Sequence, residues 1–581
     1  MTRSEDSTDH MTLGYKMAGD LALRFAVAIV LLHGFCLAKP TTLWVVYNAD
    51  NSTFSIASVK PADFVAVASF DNTINKTGWA KLDVTTTSGG KQAYSDSMQA
   101  YAAGFVEGHI TRPLMEMHWI NTVAGFCPEP LSLKCKGLKG FFEKNLEWMK
   151  AQIKSQAADD PYWYHVQLYL EQMAGLQDGY SNYPGKLNTD IDVLGVYMWQ
   201  VGGDMEDLSN LFPDSSEQLT KENVDPSLSF GPGRCSALLR LLPGNTDLYV
   251  SQDTWSDLSS MLRILKRYSF ELHMTAGSKE LAPGNTMTFS SYPGPLMSGD
   301  DFYAISSGLV SQETTIGFSN AELVKYITSE AVMEGFRSMV ANRLASSGLD
   351  WSKLFAQYNS GTYNNQWMIV DYKRFVPSRE TGVPGTFYLI EQIPGTIEYA
   401  DLTDYLYEKS YFGSYNVPYF PDIFNKSGLP PLVKKFGDWF TYDKNPRALI
   451  YKRDVPKVTD LDSMTKLMRY NNFKNDPLSR CNCTPPYSAE NAISCRDDLN
   501  PANGTYPFGA LGHRPHIGTD MKLISYDLFK SLSFLAISSP TYDDLPPFQW
   551  SKSDYNYMSH LGHPDVWKFP RILFKGTDPL A

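Results

Sequence analysis

Gly231-Pro232-Gly233-Arg234-Cys235-Ser236-Ala237-Leu238-Leu239-Arg240-Leu241-Leu242 joins a turn to a strand. Two glycines flanking a proline cannot continue a helix and form an exposed turn. The apolar run from Ser236 to Leu242, closed by Pro243-Gly244, has the length and bounds of a buried strand. Cys235 therefore stands where a loop enters a strand. Upstream, Pro213 to Phe230 is mostly polar and reads as a surface linker. A linker running into a turn is an accessible place for chain cleavage. A cut between Arg234 and Cys235 would put a thiol and a new α-amino group on one residue.

The chain has 581 residues, enough for a large core and more than one domain. With 20% charged and 43% apolar residues it is globular rather than disordered. The formal net charge of -12 argues against a nucleic-acid partner, which needs basic patches. It suits an acidic compartment, where protonation relieves self-repulsion. Residues 1–38 read as a signal peptide, with Lys16 before an apolar stretch from Leu21 and Cys36-Leu37-Ala38 before Lys39. The uninterrupted apolar part, Phe25 to Leu32, is too short to span a bilayer, although a signal anchor is the alternative. No later stretch reads as transmembrane.

Secretory entry gives meaning to five sequons, at Asn51, Asn75, Asn425, Asn482 and Asn503, and predicts a glycoprotein. Cys127 and Cys135 flank a proline-containing loop and are expected to form a local disulfide. Among Cys481, Cys483 and Cys495, a bridge closing only Cys481-Asn482-Cys483 would be strained. Cys495 is therefore expected to pair with Cys483 or Cys481. Cys235 is left isolated.

Leu43 to Tyr47, Phe54 to Val59, Val65 to Phe70 and Trp79 to Thr86 read as strands. Lys91 to His109, Phe141 to Gln156 and Tyr162 to Gln177 read as helices, and Ile191 to Leu211 contains another. After Cys235, a second strand is expected at Leu248 to Gln252 and a helix from Trp255 to Lys266. Strands follow at Phe302 to Ile305, Thr315 to Phe318, Trp367 to Tyr372 and Thr386 to Gln392, with a long helix from Asn320 to Ala345. The remainder, rich in Tyr, Pro, Asp and Asn, reads as ordered loops with few helices, among them Leu523 to Ala536. Sheets flanked by helices predict an α+β fold with an αββα layering.

Several longer motifs carry a family resemblance. They are Cys235-Ser236-Ala237-Leu238, Ser360-Gly361-Thr362-Tyr363-Asn364-Asn365-Gln366-Trp367 and Asp498-Leu499-Asn500-Pro501-Ala502-Asn503-Gly504, with Leu545-Pro546-Pro547-Phe548-Gln549-Trp550 and Gly562-His563-Pro564-Asp565-Val566-Trp567-Lys568-Phe569. Together they resemble the phospholipase B-like proteins, in their lysosomal type 2 form, over nearly the whole mature chain. The resemblance implies a four-layer αββα N-terminal nucleophile hydrolase sandwich with long loop-rich insertions. It implies autoproteolysis before Cys235 into chains 39–234 and 235–581, which stay associated as one composite domain. It makes Cys235 the nucleophile, Asn416 and Arg447 active-site residues and Trp255 a pocket residue. The family commonly has a histidine where this chain has Gln252, which cannot titrate.

The implied activity is hydrolysis of acyl ester or amide bonds of lipids, in the lysosome lumen or outside the cell. The alternative is a catalytically weak lumenal glycoprotein that keeps the fold for binding or as a scaffold. Neither cofactor nor metal is expected. His513-Arg514-Pro515-His516 with Asp520 lacks zincin spacing, and proline between the histidines excludes a regular helix. Without a Gly-x-Ser-x-Gly elbow, a serine lipase is not supported.

Overall fold

A computed structural model describes residues 40–89, 93–182, 185–212 and 235–576. The expected signal peptide, the linker from Pro213, the Gly231–Gly233 turn and Arg234 lie outside them.

The chain folds as α+β. Among the described residues the larger sheet has eleven strands. In spatial order they are Thr396–Asp401, Phe387–Ile393, Asn365–Asp371, Leu309–Thr315, Phe302–Ile305, Thr286–Ser291, Arg263–Ser269, Trp79–Thr86, Ala66–Asn72, Thr41–Asn48 and Thr53–Ala57. The second sheet, of six strands among those residues, runs Tyr411–Ser414, Ser236–Leu241, Leu248–Asp253, Met521–Ile524, Phe534–Ile537 and Ile572–Phe574.

Alternation along the strands stacks the sheets. Ala237, Leu239 and Leu241 meet Leu265, Val310, Met368 and Val370 of the larger sheet in one apolar core. Leu238 and Leu523 point the other way, against Ile450, Met464 and Met468 of the helices Pro446–Asp454 and Leu461–Met468. On the far face of the larger sheet, Ile264, Phe289 and Ile369 pack under the helices Asp96–Thr122, Pro161–Ser181 and Glu334–Leu344. Helices thus cover the outer face of each sheet.

The residues before and after 235 share the larger sheet. Trp79–Thr86 lies parallel to Arg263–Ser269, in register from Trp79 opposite Arg263 to Thr85 opposite Ser269.

Several expected elements differ. The first long helix runs Asp96–Thr122, through Gly104 and Gly108. Those glycines are contact points, not terminators. A Cβ on Gly104 would strike the Gln172 carbonyl, and one on Gly175 the Tyr101 carbonyl, so the two helices touch backbone to backbone. The expected Trp255 to Lys266 helix is instead a strand Trp255–Asp257, a short turn and the strand Arg263–Ser269. Trp255, Leu258, Met261, Leu262 and Leu265 are all buried. Burial on both faces gave the segment helical spacing without helical structure. Helix Asn320 to Ala345 shortens to Glu334–Leu344, because Val332 runs extended and donates to the Tyr358 carbonyl at 2.9 Å. Leu523 to Ala536 is two strands around the short helix Tyr526–Phe529. The strand expected at Thr315 to Phe318 lies earlier, at Leu309–Thr315. The C-terminal part also holds more helix than its composition suggested.

Cys127 and Cys135 are bonded, with Cα atoms 5.6 Å apart. The second bridge joins Cys481 to Cys483. The expected Cys483–Cys495 pairing is thereby overturned: Cys495 is fully buried and faces His516, while Cys481 and Cys483 stay partly exposed. All five sequon asparagines are exposed. Among the described residues no helix is long and apolar enough to cross a membrane.

The interior also holds carboxyl groups. Burial raises Asp204 to about 6, and Asp207, Asp301 and Glu391 to about 7. Buried His118, His165 and His563 are lowered to about 3.

Two predictions follow from packing and charge. Gly175→Ala should cost about 1–3 kcal/mol through forced separation of the two helices, read as a lowered midpoint in denaturant; an unchanged midpoint would contradict the backbone contact. Carboxyls whose folded pKa is raised stabilise the fold below their unfolded value and lose that contribution as pH rises through the folded one. The histidines oppose this only up to their unfolded value of 6.5. Thermal stability should therefore fall by a few degrees between about pH 6.5 and pH 8, and calorimetry showing a rise across that window would refute the assignment.

Candidate active site

Cys235 immediately precedes the Ser236–Leu241 strand and is 2% exposed. The adjoining strand sets Asp253 opposite Ser236 and Gln252 opposite Ala237. The chain then passes through Thr254 into the strand Trp255–Asp257, whose first backbone N–H holds the Cys235 thiol down against burial. One hairpin and its continuation therefore supply both the thiol and a group that favours its ionisation.

Arg447 comes from 212 residues further on. It sits in the first turn of the Pro446–Asp454 helix, where Asn445 caps by accepting the Arg447 backbone N–H at 2.9 Å. Its guanidinium is buried. Nη1 donates to the Cys235 carbonyl at 2.9 Å and to Ser236 Oγ at 3.3 Å. Nη2 donates to the Tyr415 carbonyl and to Asn416 Oδ1, each at 2.8 Å. The flat cation lies 4.3 Å over the Trp255 ring. Only a planar fork with several donors can hold these partners at once. Asn416 is in the left-handed region, φ +68°, which asparagine tolerates. Its Nδ2 donates to the Thr315 carbonyl at 2.6 Å.

The structure thus brings together Cys235, Trp255, Asn416 and Arg447. Gln252 is adjacent, but its Nε2 donates at 2.7 Å to each of the Asp300 and Glu313 carbonyls, so it braces main chain. Trp255 stands behind the site, its Nε1 donating to the Ile493 carbonyl at 3.1 Å. A cavity of about 250 Å³ beside it is lined instead by Ser256, Trp199, Met205, Tyr292, Met297 and Tyr363.

Burial pushes the Cys235 thiol well above its usual range, and the Glu313 carboxyl pushes the same way. The Trp255 N–H and Lys522 pull it down. The Arg447 fork grips the Cys235 carbonyl rather than its sulfur. Lys522, wholly buried, bonds Asp520 Oδ1 at 2.9 Å and donates to Thr254 Oγ1. Asp520 in turn holds Arg263 at 2.9 Å. Burial, reinforced by Asp301, raises Glu313, and the Tyr363 hydroxyl lies 3.5 Å from it.

Glu313, Lys522 and Tyr363 were not singled out in the sequence. Lys522 is the lone charge in the apolar strand Met521–Ile524, and that misfit was its signal; Glu313 sits in the mostly polar strand Leu309–Thr315, which gave none. Tyr363 lay unassigned inside the Ser360–Trp367 motif.

The sequence model of the family described as "Phospholipase B" matches residues 66–574. A rat protein named "Putative phospholipase B-like 2" is 49% identical over 522 residues, covering 88% of this chain and 86% of its own. The Caenorhabditis elegans "Putative phospholipase B-like 1" is 44% identical, over 88% of this chain and 87% of its own. The Dictyostelium discoideum "Phospholipase B-like protein B" is 35% identical, over 90% and 88%. The family match runs through most of the larger sheet, the whole of the smaller one and every residue gathered around Cys235: the chain belongs to the phospholipase B family.

Proposed function

We propose that the protein is an acyl hydrolase of lipid ester or amide bonds that matures by cutting itself before Cys235. One observation carries this reading. The Arg447 guanidinium ties the carbonyl of Cys235, the side chain of Asn416 and the ring of Trp255 into one buried unit. A purely structural cysteine needs no such assembly.

In maturation the Cys235 sulfur attacks the carbonyl carbon of residue 234. The S–C bond forms, the peptide C–N bond breaks, and the thiol proton passes to the departing nitrogen. Water then opens the thioester, and the sulfur regains a proton. The new α-amino group, with an ordinary pKa of about 7.7–8.0, becomes the base that takes the thiol proton in each later turnover. That supplies proton transfer without a histidine at position 252. The second N–H of Asn416 serves the oxyanion, since the first is given to Thr315 and Oδ1 is held by Arg447. Cutting also gives the raised thiol a nearby base, matching nucleophile activation to processing.

The two chains stay together because the Trp79–Thr86 strand is hydrogen-bonded beside Arg263–Ser269 within one sheet. The relatives' names and the apolar cavity lined by Trp199, Met205, Tyr292 and Met297 support a lipid substrate. Exposed sequons and the expected signal peptide fit a glycoprotein of the lysosome or the cell exterior. A second reading, a catalytically weak binding protein, is favoured by Gln252, whose amide is spent on main-chain carbonyls.

Wild-type protein should resolve on a denaturing gel into two chains, the later one beginning at Cys235 by N-terminal sequencing. Cys235→Ala should remain one chain and release no fatty acid from phospholipids or N-acyl amides. A nick that survives in Cys235→Ala removes the self-cleavage mechanism. A nicked wild type inert on every acyl substrate from acid to neutral pH selects the second reading. Asn416→Ala, assayed in nicked protein, should lower kcat about 10²–10³-fold with KM little changed; an effect confined to KM would deny it the oxyanion.

A further inference from the structure

Among the described residues, Cys495 is the free thiol left outside any disulfide and outside the mechanism. It lies across a narrow strand pair from His516, where Arg496 bridges Ile517 and the Gly518 N–H donates to the Cys495 carbonyl at 2.9 Å. Its sulfur is 3.7 Å from His516 Nδ1. Asp497 Oδ2 is also 3.7 Å from that nitrogen. Glu490 closes the group: one donor atom each from Glu490, Cys495, Asp497 and His516 lies within 4.8 Å of the others. Glu490, Cys495 and Asp497 are at most 2% exposed and His516 is 9% exposed.

Two carboxyls, Glu490 and Asp497, face the thiol and the imidazole across this pocket. Arg514 brings one positive charge, through Nη2 to Glu490 Oε2 at 2.9 Å and Nε to Asp497 Oδ2 at 2.8 Å. Thiolate, two carboxylates and one divalent ion sum to one negative charge, which that arginine offsets from outside the ligand set. Sulfur and imidazole select a borderline-soft ion over calcium or magnesium. A closed set of four protein donors is the arrangement of a structural site rather than a catalytic one.

We propose that Glu490, Cys495, Asp497 and His516 bind one structural zinc ion. Zincin spacing is absent here because His516 faces Cys495 and not His513. The His516 ring packs edge-on to Trp255, centroids 6.2 Å apart, so the ion would brace the wall on which Arg447 rests. The assignment does not depend on the proposed self-cleavage, since no ligand belongs to it.

Full-length protein, purified without chelator and dialysed with zinc near neutral pH, should retain about one zinc per chain by elemental analysis. The Cys235→Ala variant should retain the same amount, and Cys495→Ser with His516→Ala should lose it. Because that double variant could unfold, cobalt loading of wild type supplies an independent reading. Bound cobalt should show the intense near-ultraviolet band of sulfur-to-metal charge transfer together with tetrahedral visible bands. Absence of retained zinc, or a cobalt spectrum without the sulfur band, overturns the proposal; so does zinc that persists in a folded double variant.

Discussion

A single buried cation organises this molecule's centre. Arg447 spans two layers, gripping the first residue of the central hairpin with one arm and the Tyr415–Asn416 turn with the other. A desolvated guanidinium is tolerated only where carbonyls, amide oxygens and an aromatic face replace water. Here those groups are the main chain at Cys235, the Asn416 amide and the Trp255 ring. The same demand fixes the left-handed backbone at Asn416 and the capped start of the Pro446–Asp454 helix. Geometry at the thiol is thus a by-product of keeping one charge satisfied.

Around that centre lies a second, larger set of buried charges. Lys522, Asp520, Arg263 and Asp300 form a chain of ion pairs beneath the hairpin. Such pairs are costly to bury and destructive to break, so they favour one arrangement of the two sheets over near alternatives. Glu313 and Asp301 sit beside it with raised pKa values, which keeps negative charge near the thiol low in acid.

The sequence exposed these features unevenly. Strands with clear bounds were legible: Trp79–Thr86 was read to the residue, and Ser236–Leu241 within one. Trp255 to Lys266 was not, because it offers apolar residues at helical spacing as readily as at any other and lacks the Pro-Gly stop that closes Ser236–Leu241. Gly104 and Gly108 looked like a helix end, and only the partner helix explains them. Cys235, Asn416, Arg447 and Trp255 were legible through motif resemblance, and the fold does gather them. Glu313 and Lys522 were invisible to motif reading, since a lone charge in a strand declares its partner only once the sheets are stacked. The Cys495 pairing failed for a related reason: chain proximity said nothing of which way the thiol turned.

Trp255, Asn416 and Arg447 reach Cys235 from three separate elements: the strand Trp255–Asp257, the turn after Tyr411–Ser414 and the helix Pro446–Asp454. On the proposed chemistry, a newly made chain therefore carries no working scissor while it is unfolded. Competence to cut becomes a report that the interior is correctly assembled. A misassembled copy would stay in one piece and inert, which spares the compartment an acyl-transfer reagent with no proper pocket around it.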